Sequence, residues 1–150
     1  MNPRLALPAF ILVSLGGGGL IGLLVETGDW YQGLAKPAFN PPGFVFGPVW
    51  TVLYILIGIA GFRVWRAGLG PLQRLWWAQL GVNFAWPVVF FSAHALTGAL
   101  AVIALLALLI LAFVAGAWRK ERLSALLFLP YAFWTFFAAV LNASIVWMNP

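Results

Sequence analysis

The sequence predicts an all-α integral membrane protein, a bundle of five transmembrane helices with a long structured loop between helices 1 and 2. Of its 150 residues, 64% are hydrophobic and only 7% are charged, whereas soluble domains carry about 25% charged residues. Uncharged apolar segments of roughly bilayer length recur five times along the chain. Such segments are expected to be helical, because a helix bonds its own backbone polar groups away from water.

The predicted spans belong to a single domain of residues 1–150. They cover about 5–25, 44–66, 71–93, 96–118 and 123–148. Arg4 precedes an apolar run that is too long for a signal peptide and lacks a small-residue cleavage site, so we expect the first span to be retained. The longest connection, residues 26–43, is rich in proline and aromatic residues, and we predict that it forms a structured lid loop.

The basic residues sort to one side of this topology. With five spans, the N-terminus and loops 2 and 4 share a side, and that side carries Arg4, Arg63, Arg66, Arg74, Arg119, Lys120 and Arg122. Lys36 lies on the other side, with Glu26 and Asp29 nearby. Because Lys and Arg bias sets orientation, we predict that the N-terminus and loops 2 and 4 are cytoplasmic. Topology then explains the net charge of +5, and no nucleic-acid partner is expected.

The composition argues against the common kinds of catalytic site. The chain has one histidine and no cysteine, so neither a protein-built metal centre nor a bound cofactor is expected. No Ser/His/Asp set and no pair of catalytic carboxylates can be assembled. The run Gly16–Gly19 lies inside an apolar span rather than between a strand and a helix, so it does not fit a phosphate-binding loop. Conventional hydrolase or transferase chemistry is therefore not predicted.

Three predicted helices each present an aromatic face with few polar groups. These faces consist of Trp50 and Tyr54 in the second span, Asn83, Trp86 and Phe90 in the third, and Tyr131, Trp134, Ala138 and Asn142 in the fifth. Pro87 cannot donate to the carbonyl of Asn83, which adds a polar group to the third face. Such walls suit a flat apolar ligand with a few polar edges. An interhelical core with interfacial aromatic belts, Trp30 among them, explains the same pattern, and periodicity does not separate the two interpretations.

Small residues mark two helix faces for close approach. Gly18 and Gly22 stand at GxxxG spacing in the first span, and Gly81 and Ala85 form a similar pair in the third. Pairs of this kind let helices pack closely in lipid. We interpret the first pair as helix packing rather than ligand contact, and the second as a seam for a homodimer.

Ordered motifs extend over nearly the whole chain. They are Trp30-Tyr31-x-x-Leu34-x-Lys36-Pro37 with Pro41-Pro42, Phe46-Gly47-Pro48-Val49-Trp50-Thr51-x-Leu53-Tyr54, Gln79-Leu80-x-x-Asn83-x-x-Trp86, and Leu129-Pro130-Tyr131-x-x-Trp134 with Leu141-Asn142. In this order they resemble the TspO/MBR family, the tryptophan-rich sensory proteins. The mitochondrial translocator protein, or peripheral benzodiazepine receptor, belongs to that family.

The resemblance implies a bacterial cell-membrane protein, a five-helix bundle that is commonly dimeric and whose first loop closes over a pocket. Family ligands are porphyrins such as protoporphyrin IX, heme and its degradation products, isoquinoline and benzodiazepine drugs and, in mitochondrial members, cholesterol. Carried over to this chain, the pocket positions are Tyr31, Pro42, Trp50, Tyr54, Asn83, Trp86, Phe90, Trp134, Ala138 and Asn142. Membrane lipid and a flat tetrapyrrole are thus the expected partners.

Three functions share this pocket. The first is a receptor or sensor that binds tetrapyrroles and regulates tetrapyrrole-linked or stress responses. The second is light-dependent degradation of protoporphyrin IX, which the resemblance assigns to Trp50 and Trp134. The third is a transporter of tetrapyrroles or lipophilic metabolites, although the spans show no inverted repeat and no intramembrane acid for proton coupling.

Lys36 and two departures from the family pattern complete the expectations. Lys36 on the lid could pair with a tetrapyrrole propionate, and interfacial snorkelling explains it equally well. Position 39 is Phe where many members have Trp. No basic residue follows Tyr131, so the cholesterol-recognition pattern is missing and sterol binding is not predicted.

Overall fold

The computed structural model describes residues 1–25 and 28–150, and Glu26 and Thr27 lie outside this description. Over these residues the chain forms helices and connections, with no strand, which confirms the predicted all-α class. In chain order the helices are α1 (Pro3–Leu24), α2 (Asp29–Gln32), α3 (Gly43–Arg66), α4 (Gly70–Pro87), α5 (Leu96–Ala117) and α6 (Arg122–Met148). A π-helical turn, Val88–Ser92, continues α4.

Four of the described helices, α1, α3, α5 and α6, are long and apolar enough to cross a membrane. Helix α4 does not reach that hydropathy, because it carries Gln73, Arg74, Gln79 and Asn83 within 18 residues. The structure thus supports a helical membrane protein, while the count of five spans stays a prediction.

Local chemistry explains where these helices begin and end. At the start of α1, the Asn2 side chain accepts a hydrogen bond from the Arg4 N–H at 2.9 Å, and Pro3 occupies the first helical position. After α3 the chain turns through Gly68, whose φ of +70° favours glycine and stops the helix. Pro71 then lies in the first turn of α4, where its missing N–H costs nothing.

The helices pack as a ring with one addition. Helices α3, α4, α5 and α6 contact each other in that cyclic order, and α1 packs on the outside against α3 and α4. Ser14 joins α1 to α3, because its buried hydroxyl donates to the Tyr54 carbonyl at 2.8 Å.

One end of the bundle is filled with large side chains, and we call it the filled end. Phe113 and Phe128 stack there with ring centroids 4.1 Å apart. The indole of Trp76 is completely buried and donates to the Ile57 carbonyl at 2.8 Å. This indole lies against Gly61, where any Cβ atom would overlap it. Basic residues that flank the helices lie at this end, and Arg63 forms an ion pair with Glu121 at 2.7 Å.

Candidate ligand-binding site

A cavity of about 750 Å³ occupies the other end of the bundle, which we call the open end. Its walls come from α1, α3, α4, α5 and α6, and residues 28–42 of the first loop, here named the lid, cover one side. The volume falls within the range of about 300–1,000 Å³ that small-molecule sites occupy.

The cavity brings together ten of the eleven residues that the sequence analysis selected. They are Tyr31, Lys36, Pro42, Trp50, Tyr54, Asn83, Trp86, Phe90, Ala138 and Asn142. These residues come from three helices and the lid, and they line one space, as predicted from the aromatic faces of the helices.

Trp134 is the selected residue that does not line the cavity. Its ring lies behind Phe46, with centroids 6.0 Å apart and the rings edge to face, and beside Phe137 at 5.2 Å. Phe46 is itself a lining residue, so it forms the wall where Trp134 was expected. The Trp134 Nε1 atom is buried and has no hydrogen-bond partner in the described part of the chain.

The aromatic lining consists of stacked and edge-on pairs. Trp50 lies over Tyr54 with ring centroids 5.4 Å apart and an interplanar angle of 30°. On the neighbouring wall, from α4 and the π-helical turn that continues it, Trp86 and Phe90 are 5.3 Å apart, and Phe90 meets Phe91 edge to face at 4.7 Å. Because aromatic faces attract other flat π systems in offset arrangements, these two walls favour a planar ligand between them.

A chain of buried hydrogen bonds runs from the cavity floor into the core. The Tyr54 hydroxyl donates to Asn83 Oδ1 at 2.6 Å, and Asn83 Nδ2 donates to the Tyr131 hydroxyl at 2.7 Å. The Tyr131 hydroxyl donates in turn to Gln79 Oε1 at 2.7 Å. Gln79 Nε2 ends the chain on the Trp76 carbonyl at 2.9 Å. All four side chains are buried, so the bonds offset the cost of placing polar groups there.

A second polar contact closes the far wall. Trp86 Nε1 donates to Asn142 Oδ1 at 3.0 Å, and Asn142 Nδ2 donates to the Leu96 carbonyl at 3.0 Å. Asn142 thereby joins α4, α5 and α6 beside the cavity. These two bonds fix the orientation of the Asn142 amide, and one N–H and one lone pair of that amide are not used by them.

The lid is held together by Lys36. Its Nζ donates to the carbonyls of Tyr31 at 2.9 Å, Leu34 at 2.9 Å and Gln32 at 3.3 Å, and lies 4.8 Å from the centre of the Tyr31 ring. The ammonium thus closes the end of the short helix α2. Burial raises the pKa of the Tyr31 phenol, and its hydrogen bond to Asn40 at 3.4 Å opposes that rise, so the hydroxyl is neutral.

Two contacts that the sequence analysis missed fix the lid to the bundle. The Trp30 indole, interpreted as a belt residue, stacks on the His94 ring with centroids 4.0 Å apart and planes 9° from parallel. Near the C-terminus, the Asn149 carboxamide donates to the Ala35 carbonyl at 2.9 Å and accepts from the Ala35 N–H at 3.1 Å. These pairs are far apart in sequence, and no local pattern signals them.

Glycines also line the open end. Gly18 packs directly on the Tyr54 ring, where any Cβ would overlap it, as expected of a packing residue. Both Gly18 and its GxxxG partner Gly22 border the cavity, and a Cβ on Gly22 would meet no atom within 4 Å. Gly43 and Gly47 of α3 border the same space. The sequence signal for glycines that border a cavity was the number of glycines in α1, five, which exceeds what one helix-packing surface needs.

Fold and cavity together define a class, a helical membrane protein with a lidded aromatic cavity. The chain belongs to the TspO/MBR family, whose pattern matches residues 9–148. It is 36% identical over 153 residues to protein CrtK of Rhodobacter capsulatus, covering 97% of this chain and 94% of that protein. It is 37% identical to the tryptophan-rich protein TspO of Archaeoglobus fulgidus, covering 94% and 92%. Identity to the translocator protein of Homo sapiens is 35%, covering 75% and 70%.

Proposed function

We propose that this protein is a membrane receptor or sensor that binds porphyrins, such as protoporphyrin IX, and other flat aromatic molecules in the open-end cavity. The observation that carries the proposal is the cavity of about 750 Å³ between two aromatic walls. A relative with 34% identity over 150 residues, from Cereibacter sphaeroides, is named a tryptophan-rich sensory protein, which supports a sensing role. Regulation of tetrapyrrole-linked or stress responses would be the physiological consequence.

Lys36 supports an anionic edge on the ligand. Lys36 borders the cavity. Among residues 1–25 and 28–150 its ammonium forms no ion pair with a carboxylate, whereas Arg63 pairs with Glu121. Hydrogen bonds to three main-chain carbonyls fix the position of the ammonium. A propionate at the cavity rim would take the place of the longest of these bonds, to the Gln32 carbonyl at 3.3 Å, and charge-assisted bonds are about twice as strong as neutral ones.

We also propose that α4 is the fifth membrane span. Its polar side chains Gln79 and Asn83 lower the mean hydropathy of the helix, but both are buried in the bundle and do not contact lipid. The Arg63–Glu121 pair supports loops 2 and 4 on one side, cytoplasmic in this proposal. Gly81 and Ala85 face outward, and a homodimer through this face remains part of the proposal.

Titration with protoporphyrin IX tests the receptor function. In nanodiscs, tryptophan fluorescence should be quenched saturably, with empty nanodiscs as the reference for partitioning into lipid. Trp50→Ala removes one aromatic wall and should weaken binding roughly tenfold. Trp147→Ala is the matched control, because this indole is 84% exposed and lies off the cavity.

Two results would count against the receptor. The first is quenching that rises linearly without saturation, as expected for porphyrin dissolved in lipid. The second is equal affinity in the Trp50→Ala and Trp147→Ala variants, which would place the ligand elsewhere on the protein.

Light-dependent degradation of the bound porphyrin is the second candidate, and the position of Trp50 favours it. This indole borders the cavity and lies against the Tyr54 ring, where it can give an electron to an excited porphyrin. Trp134 lies behind Phe46, so we assign it a smaller part. Under illumination, Trp50→Phe should slow bleaching of the Soret band several-fold, and Trp134→Phe should slow it much less. Equal bleaching in all three proteins would leave only photosensitised damage.

A further inference from the structure

The buried chain of hydrogen bonds that begins at Tyr54 has a fixed direction. A main-chain carbonyl only accepts hydrogen bonds, so the Gln79 group near the Trp76 carbonyl must be the amide nitrogen. The Gln79 oxygen therefore points to Tyr131, and the Tyr131 hydroxyl must donate to it. A hydroxyl has one hydrogen, so Tyr131 accepts from the Asn83 nitrogen.

The direction of the hydrogen bonds is fixed as far as the cavity floor. With its nitrogen turned toward Tyr131, Asn83 presents its oxygen to Tyr54, and the Tyr54 hydroxyl spends its single hydrogen on that oxygen. Tyr54 borders the cavity, and its hydroxyl can offer a ligand only its lone pairs, as a hydrogen-bond acceptor. Asn83 also borders the cavity, but its nitrogen turns away toward Tyr131, which is completely buried and does not border the cavity.

We infer that Gln79, which does not border the cavity, sets the hydrogen-bond polarity of the cavity floor, so that the site favours ligands presenting an N–H or O–H donor to Tyr54. The inference rests on the proposed function, since it concerns a ligand in the same cavity. Gln79 is a positioning residue that acts through Tyr131 and Asn83. The chemical class it selects includes pyrroles, lactams and alcohols, and the class it disfavours has a carbonyl at that edge.

Gln79→Met should reverse the chain. Methionine has a similar length but offers no strong acceptor, so the buried Tyr131 hydroxyl must find another one. The Asn83 amide can supply it by turning over, with its oxygen accepting from Tyr131. Its nitrogen then donates to Tyr54, and the Tyr54 hydrogen is released toward the cavity. The floor becomes a donor and favours a ligand carbonyl.

Gln79→Glu should leave the direction unchanged. Burial favours the neutral carboxylic acid, whose O–H can donate to the Trp76 carbonyl while its C=O accepts from Tyr131. This variant separates the direction of the hydrogen bonds from a disturbance of packing, because it changes residue 79 and retains the chain of hydrogen bonds.

Three flat tricyclic probes of nearly equal shape provide the test. Carbazole carries an N–H donor at its apex, 9-fluorenone carries a C=O acceptor, and fluorene carries a CH₂ group that does neither. Their dissociation constants are measured by equilibrium dialysis against nanodiscs with and without the protein. We expect the wild type to bind carbazole about tenfold more tightly than 9-fluorenone, with fluorene between them, as one neutral hydrogen bond allows.

The variants then give distinct outcomes. Gln79→Met should invert the carbazole to fluorenone ratio, and Gln79→Glu should keep it. If Gln79→Met does not fold, Gln79→Leu, which also lacks an acceptor, takes its place. Saturable binding with a wild-type ratio near one, or a ratio that a folded acceptor-free variant at position 79 leaves unchanged, overturns this inference alone. If no probe binds saturably to the wild type, the proposed function fails and the inference fails with it.

Discussion

The two ends of α3 carry the same residue type in opposite surroundings. Toward the filled end, a Cβ on Gly58 would lie 2.7 Å from the Cα of Ile11, and one on Gly61 would overlap the Trp76 ring. Toward the open end, Gly43 and Gly47 meet no atom within 4 Å. At the filled end, the glycines of α3 allow close contact with α1 and with the Trp76 ring. At the open end, the glycines leave space beside the helix unoccupied.

This difference separates the structural part of the bundle from the part proposed to bind ligand. At the filled end, large side chains such as Phe113 and Phe128 stack directly on each other. At the open end the same helices line the cavity, and the lid covers one side of it. Substitutions at the filled end should therefore change stability, and substitutions at the open end should change binding.

Gly58→Ala should have the largest effect on stability. The added methyl group meets the backbone of α1, which cannot yield without moving the helix, so we expect a loss of about 1–3 kcal/mol. The unfolding temperature in detergent should fall by roughly 2–4 °C per kcal/mol. Gly43→Ala is the control on the same helix and should be neutral or stabilising, because its Cβ meets no atom within 4 Å and alanine has the higher helix propensity. Equal losses in both variants would contradict the distinction between the two ends.

Asn149→Leu should come next, and at the open end it should act on ligand kinetics. It removes both hydrogen bonds to Ala35, worth together about 1 kcal/mol at an exposed site. Porphyrin dissociation measured by stopped flow should be about fivefold faster, with little change in unfolding temperature. Asn149→Asp keeps an acceptor for the Ala35 N–H and should give an intermediate rate. An unchanged rate would mean that this contact does not hold the lid over the ligand.

Arg63→Met should have the smallest effect. The Arg63–Glu121 pair lies at the filled end, but the Arg63 side chain is 39% exposed, and solvent-exposed pairs contribute about 0–1 kcal/mol. The unfolding temperature should therefore change by less than in Gly58→Ala, and the difference from wild type should shrink in high salt. A loss as large as that of Gly58→Ala would show that charge pairing, not packing, stabilises this end.

Much of the fold follows from the sequence because lipid leaves few choices for an apolar segment. The helices α1, α3, α5 and α6 correspond to uncharged runs, and proline and glycine mark several of their ends. Helix α4 is the helix whose hydropathy does not identify it as a membrane span. Its hydropathy is lowered by Gln79 and Asn83, and only tertiary packing reveals that both side chains are buried.

The cavity walls could be predicted for a related reason, since helical periodicity places residues such as Asn83, Trp86 and Phe90 on one side. Periodicity does not fix which ring stands in front. Trp134 shares a predicted face with Ala138, yet Phe46 from another helix takes the position at the cavity. The role of Lys36 was likewise hidden, because its three acceptors are main-chain carbonyls that no side-chain pattern encodes.

Filling the cavity tests the central claim most directly. Ala138 is buried in α6 and borders the cavity, whereas Ala143 lies on the exposed side of the same helix. A phenyl ring at position 138 and a flat ligand cannot share the space, so Ala138→Phe should weaken protoporphyrin IX binding at least about tenfold without lowering the unfolding temperature. Ala143→Phe should bind like the wild type. Equal affinity in the two variants, with both folded, would contradict the claim that the open-end cavity holds the ligand.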